Sequence, residues 1–235
     1  MARKENNKLQ KKSGHIGDVL VPIHPAGYIF VFLFALVTVG SALLLSPWLL
    51  IATVPLTLWC IYFFRDPERV PPVDSNVIIS PADGVIQTVA VKTLPPELQS
   101  LAGKGPYTRV SIFMNVFNVH VNRMPCQARV VHNHYHAGKF LNASFDKASN
   151  LNERQSLWLR TNHSTNIGLV QIAGLVARRI LCQASEGTTW RIGQRFGMIR
   201  FGSRVDVYLP KGYHILVRVG QTAVAGETRL AELKK

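Results

Sequence analysis

The chain has 235 residues, a formal net charge of +14 and an ordinary globular share of apolar residues, 47%. That length allows one good domain plus an extra segment, or two small domains. Its three cysteines, Cys60, Cys126 and Cys182, match no zinc or redox spacing and read as reduced packing thiols. The excess of positive charge favours an anionic partner, whether nucleic acid, an acidic ligand or a membrane rich in anionic lipid.

Charge alone does not choose among these partners, but the distribution of apolar residues does. Between Ala26 and Phe64 no charged side chain occurs, and that run is nearly double the ~20 residues a single membrane span needs. Ser46-Pro47 breaks it near the middle, so the pattern predicts two short helices in a hairpin. A cleaved signal peptide fits poorly, because the run is too long and no small-residue cleavage site leads out of it. Lys8, Lys11 and Lys12 precede the run and Arg65 and Arg69 follow it, which predicts that both ends face the cytoplasm. A buried hairpin of a soluble protein is the alternative. The expected organisation is a basic segment 1–25, a membrane anchor 26–64 and a soluble domain 65–235.

After Arg65 short apolar stretches alternate with Gly, Pro, Asn and Asp. Strands are predicted over Val77–Ile79, Gly84–Val91, Arg109–Phe113, Val119–Asn122, Ala128–His134, Leu157–Thr161, Ile167–Ala173, Met198–Phe201, Val205–Leu209 and His214–Val219. In the ninth, Val205, Val207 and Leu209 point one way and Asp206 and Tyr208 the other. The best helix candidates are Pro96–Leu101 and Gly174–Cys182. The fold class predicted is mostly β, an α+β sandwich or barrel-like soluble domain behind a helical hairpin anchor.

Several segments could carry chemistry. Ser80-Pro-Ala-Asp83-Gly84 reads plainly as a turn, yet a turn between strands also presents an acid well, so Asp83 is a candidate. His120 lies in Val119-His-Val-Asn-Arg123, behind a stretch rich in asparagine and aromatics. His132, His134 and His136 share one face of a strand at i, i+2, i+4. No carboxylate or cysteine completes a metal set there, so no metal is expected and an exposed polar or anion-contacting face is the better reading. The polar segment Phe140–Ser149, with Asn152, Glu153 and Arg154, reads equally as a site lining or a solvated crossover. Gly202-Ser203, inside Arg200-Phe-Gly-Ser-Arg204, permits a strained backbone that could press a hydroxyl against its own preceding carbonyl. A tight turn is the plainer reading of that pair.

Four segments occur together and in order as they do in phosphatidylserine decarboxylases: Phe64-Arg-Asp-Pro67, Ser80-Pro-Ala-Asp-Gly84, Val119-His-Val-Asn-Arg123 and Phe201-Gly-Ser203. With the hydrophobic N-terminus, the chain resembles the short bacterial and archaeal form of that family from about Ile23 to Ala225. The resemblance implies a zymogen that cuts itself between Gly202 and Ser203. The products would be a β chain, 1–202, and an α chain, 203–235, that remain together as a heterodimer. Ser203 would become a covalent pyruvoyl cofactor, and a Schiff base from it to phosphatidylserine would lead to phosphatidylethanolamine at the cytoplasmic face of the cell membrane. Asp83 and His120 would assist. Longer relatives carry a second histidine where this chain has Arg123, which leaves open which step His120 serves.

Three alternatives belong beside this reading. A decarboxylase of a serine-headed ether lipid is the nearest. A membrane-tethered module binding anionic lipid or nucleic acid is another, though the sequence lacks stacking platforms and no nucleic-acid partner is expected. A serine hydrolase lacks its Gly-x-Ser-x-Gly elbow.

Overall fold

A computed structural model describes residues 21–102, 105–141, 143, 151–174, 179–200 and 202–234. The chain divides after Glu68 into two compact units.

The first unit is a helical hairpin. Helix α1 spans Tyr28–Leu44 and α2 spans Leu50–Phe63, separated at Ser46-Pro47, where proline cannot continue the preceding helix. Their apolar faces meet around two threonines. Thr38 Oγ1 and Thr57 Oγ1 lie 2.8 Å apart, each also 2.9 Å from a carbonyl of its own helix, Phe34 and Thr53. Hydroxyls satisfied in this way can be placed in an apolar medium at little cost. The chain enters and leaves the hairpin at one end: His24 N–H donates to the Phe64 carbonyl at 2.8 Å and Asp66 N–H to the Pro22 carbonyl at 2.7 Å. The stretch Pro25–Leu44 is long and apolar enough to cross a membrane, and Pro47–Phe63 is a shorter apolar helix.

The second unit is mostly β. Its strands are β1 Val77–Ile79, β2 Gly84–Lys92, β3 Tyr107–Met114, β4 Val121–Arg123, β5 Ala128–His136, β6 Arg154–Thr161, β7 Asn166–Ile172, β8 Ile180–Cys182, β9 Thr189–Trp190, β10 Arg195–Ile199, β11 Ser203–Leu209, β12 Tyr213–Ile215, β13 Thr222–Ala223 and β14 Arg229–Leu233. Eight form one antiparallel sheet in the order β13-β2-β3-β11-β7-β6-β5-β9. Two three-stranded sheets, β1-β14-β12 and β4-β10-β8, complete the unit. The small sheets pack on one face of the large one, joining Ile78, Phe196, Ile199 and Leu230 to Ile112, Leu157, Leu169, Val205 and Val207 in a single core. Cys126 lies within that core, where burial pushes its thiol up to about 12 and makes it a packing group.

Helix α3, Pro96–Ala102, covers the other face of the large sheet, seating Leu94 and Leu98 against Trp158, Val170 and Tyr208. An ion pair fixes it there. Glu97 accepts from Arg154 at 2.7 and 2.9 Å and from Ser156 at 2.7 Å, with both charged side chains over 90% buried. Burial alone would raise the Glu97 carboxyl, but Arg154 and Ser156 outweigh it and bring it from 4.5 down to about 2. A depressed carboxyl stabilises the fold above its unfolded pKa. That contribution should therefore fade as pH falls from about 4.5 towards about 2. Glu97→Gln leaves Arg154 buried without its counter-charge and should cost about 3 kcal/mol in chemical denaturation at neutral pH.

The structure corrects the sequence reading at several elements. Ile180–Cys182, expected in a helix, is strand β8, because it finds an antiparallel partner in Gly197–Ile199; residues 175–178 lie outside the described residues. β11, whose alternation sets Val205, Val207 and Leu209 against Asp206 and Tyr208, is buried along its whole length, so both of its faces are covered. Val205, Val207 and Leu209 enter the main core while Tyr208 lies under α3. Val119 and His120 precede β4, and β10 begins three residues earlier than its predicted start at Met198. Of the predicted strand His214–Val219 only His214 and Ile215 fall in a strand, β12, which starts one residue earlier at Tyr213. The short strands β9 and β13 and the longer β14 carry no apolar alternation strong enough to announce them.

Candidate active site

The chain crosses from the small sheet of β10 to the centre of the large sheet at β11 in three residues, Arg200 to Gly202. So short a crossover needs a sharp reversal, and Gly202 supplies it with φ +66°, a left-handed conformation that side chains resist. Phe201 lies outside the described residues. Ser203 then begins β11, paired with Met114 of β3, while Arg204 pairs with Ile172 of β7. Ser203 lies on the same strand face as Val205 and Val207, so its side chain enters the core. It is fully buried, and its Oγ has no hydrogen-bond partner among the described residues. A buried hydroxyl without a partner is costly, and this one stands directly after a left-handed glycine.

His120 is also fully buried and lies against this crossover. Its Nδ1 is 2.9 Å from the Asn118 carbonyl, which can only accept, so Nδ1 carries the proton. Nε2 is then the lone-pair nitrogen, and it accepts from Gly202 N–H at 3.4 Å. The structure thus brings His120, Gly202 and Ser203 together, and the carbonyl two residues back along the His120 segment sets its tautomer.

Asp83 reaches the same end of the sheet by another route. Val85 pairs with Phe113 and Ser203 with Met114, so the Asp83 turn and Ser203 flank one end of β3. Their strands are two spacings apart, ~10 Å. The Asp83 carboxylate accepts from Arg69 at 2.9 Å and from Ala225 N–H at 2.7 Å. It is a fixed, charge-paired carboxylate on a turn. Arg69 entered the sequence reading only as a flanking charge of the anchor, since a side-chain partner fourteen residues away leaves no local signal.

Other residues of the site escaped sequence reasoning. Asn122 donates to Met114 Sδ at 3.7 Å and accepts from Gln171 Nε2 at 2.8 Å, which links β4, β3 and β7 through the core next to Ser203. Arg204 is buried with Asp206, Nε to Oδ1 2.9 Å, and donates to the Ala143 carbonyl at 3.0 Å. Arg109 stands 4.0 Å from the same carboxylate. Arg123 donates to the Gly193 carbonyl at 3.0 Å from a buried site.

The remaining candidates fall into other roles. His132 pairs with Glu186 at 2.7 Å and stacks on His134, and a bulge between Val130 and His132 displaces the strand there. No cluster of three potential metal ligands occurs among the described residues. Of the polar segment 140–149, residue 142 and residues 144–149 lie outside the described residues. Its flanks are structural: Asn152 binds the Leu141 and Ala173 carbonyls at 2.6 and 2.7 Å, and Arg154 holds α3.

Residues 56–231 match the family model for phosphatidylserine decarboxylase. The chain belongs to the phosphatidylserine decarboxylase family. The match runs from within α2 through β1 to β13 and into β14, so it contains the Asp83 turn, His120 and the Gly202–Ser203 crossover. Membership assigns a lyase of phospholipid synthesis that decarboxylates phosphatidylserine.

Proposed function

We propose that the chain is a self-processing, membrane-anchored phosphatidylserine decarboxylase whose cofactor is a pyruvoyl group made from Ser203. The observation that supports this best is the buried, unpartnered Ser203 hydroxyl directly after Gly202, whose N–H faces the lone pair of His120. Those residues fit the group: a serine at the first position of a strand held on both sides can change chemically without unravelling its ladder.

Cleavage begins when Ser203 Oγ attacks the Gly202 carbonyl carbon and the C–N bond to Ser203 breaks, giving an ester. Removal of the Ser203 Cα proton expels Gly202 as a carboxylate, and the resulting dehydroalanine takes up one water and loses one ammonia. His120 Nε2, the lone-pair nitrogen at this bond, is the base closest at hand. Asp83, fixed by Arg69 and Ala225 N–H, supplies negative charge at the same sheet end. Once formed, the pyruvoyl carbonyl supplies the electron sink that amino-acid decarboxylation requires. The chain's own residues then bind and orient the lipid and return a proton, a task within reach of His120.

The α chain 203–235 stays docked, because the pairing of β11 from Arg204 to Leu209 lies wholly beyond the cut. Its Arg204–Asp206 pair also remains tied to Arg109 and Ala143 of the β chain. The hairpin 26–64 serves as the anchor, with both ends on the cytoplasmic side, keeping the enzyme with its lipid substrate. Intact mass of protein purified from membranes tests this proposal. Two chains are expected, the smaller beginning with pyruvoyl on Arg204; a single uncut chain in active membranes rules it out. Asp83→Asn should slow cutting at least tenfold by pulse-chase, and wild-type cutting in that variant removes Asp83 from the mechanism.

A further inference from the structure

We infer that Gly174 is a positioning residue for self-cleavage: its missing side chain seats the Gly202 carbonyl, the one that Ser203 must attack. The inference rests on the proposed cut between Gly202 and Ser203. A Cβ built on Gly174 would stand 2.0 Å from the Gly202 carbonyl oxygen and 2.9 Å from its carbon. Gly174 is not among the residues with left-handed φ. Its requirement for glycine therefore comes from the space that the Gly202 carbonyl occupies.

Neither side of this contact is free to retreat. Ala173, just before Gly174, is held through both backbone groups: its N–H donates to the Glu153 carbonyl at 2.9 Å and its carbonyl accepts from Asn152 Nδ2 at 2.7 Å. Asn152 is itself fully buried and fixed by Leu141, N–H to Oδ1 at 3.0 Å and Nδ2 to carbonyl at 2.6 Å. Across the contact, Gly202 N–H is bonded to His120 and Ser203 is paired with Met114. A methyl at position 174 must therefore turn the Gly202 carbonyl. Turning it rotates the carbonyl carbon away from Ser203 Oγ, and a displacement of ~1 Å in such a step costs on the order of a hundredfold in rate.

The control is a glycine with an equal clash elsewhere. A Cβ on Gly197 would lie 2.1 Å from the Leu181 carbonyl oxygen, in the small sheet. The experiment expresses the full-length chain as wild type, Gly174→Ala, Gly197→Ala and Ser203→Ala. It follows cutting by pulse-chase and intact mass, and fold by thermal melting against the uncut Ser203→Ala chain. Denatured samples are also treated with hydroxylamine, which cleaves an ester at Gly202 to a hydroxamate. Gly174→Ala should be cut at least tenfold more slowly and yield no hydroxamate, because it fails before the ester. Gly197→Ala should lose comparable stability and still be cut. Wild-type cutting in Gly174→Ala overturns the inference, as does an equal loss of cutting in Gly197→Ala. An uncut wild-type chain overturns the cleavage proposal instead.

Discussion

Ser203→Ala should leave one uncut chain and abolish phosphatidylserine decarboxylation, the largest effect expected of any single substitution in this protein. Without Oγ there is no nucleophile for the Gly202 carbonyl and no oxygen to be expelled from Cβ. The cofactor is then never made, and no other described group supplies its carbonyl. The fold should survive. Ser203 makes no side-chain hydrogen bond among the described residues, so removing the hydroxyl deletes an unsatisfied buried polar atom. The expected readings are a single mass, no detectable phosphatidylethanolamine formation in vesicle assays, and a melting temperature equal to or above that of the cut enzyme. Ser203→Ala that still forms product would refute the role assigned to Ser203.

His120→Gln should lower decarboxylation by two to four orders of magnitude, the range for loss of a positioned proton-transfer group. The side chain is fully buried with its tautomer fixed by Asn118, so its lone pair is aimed at the Gly202–Ser203 region without reorganisation. Glutamine keeps a hydrogen-bonding terminus but is no base at neutral pH, so it separates proton transfer from packing. Cutting and turnover need separate measurement. The rate of chain cutting by pulse-chase reports the first role. Product formed per pyruvoyl end, counted by mass, reports the second. Slower cutting with normal turnover per pyruvoyl would confine His120 to maturation, and normal rates of both would exclude it.

The family, the apolar hairpin and the mostly-β fold were legible in the sequence for different reasons. An apolar run broken by Ser46-Pro47 follows from composition alone, because length and a proline decide helix ends locally. The strands β2, β3, β5 and β7 announced themselves through period-two alternation. The motifs around Gly202-Ser203, Asp83 and His120 pointed to the family only as an ordered set, since each alone reads as a turn or a strand residue.

What remained hidden depends on pairing between distant segments. The β8 stretch Ile180–Cys182 has the apolar density of a short helix and is extended because β10 lies beside it. The partners of Asp83 are fourteen and 142 residues away, Arg69 and Ala225, and no spacing rule connects them. Gly174 carried no signal as a glycine, because the close approach of Gly202 exists only after two strands are laid side by side. Sequence by itself determined the kind of protein, because the family is written in motif order and the apolar run in local composition. Tertiary structure alone decided what surrounds the Gly202–Ser203 bond, His120 at the Gly202 N–H and the empty side of Gly174 at its carbonyl, because these contacts exist only once distant segments are folded against each other.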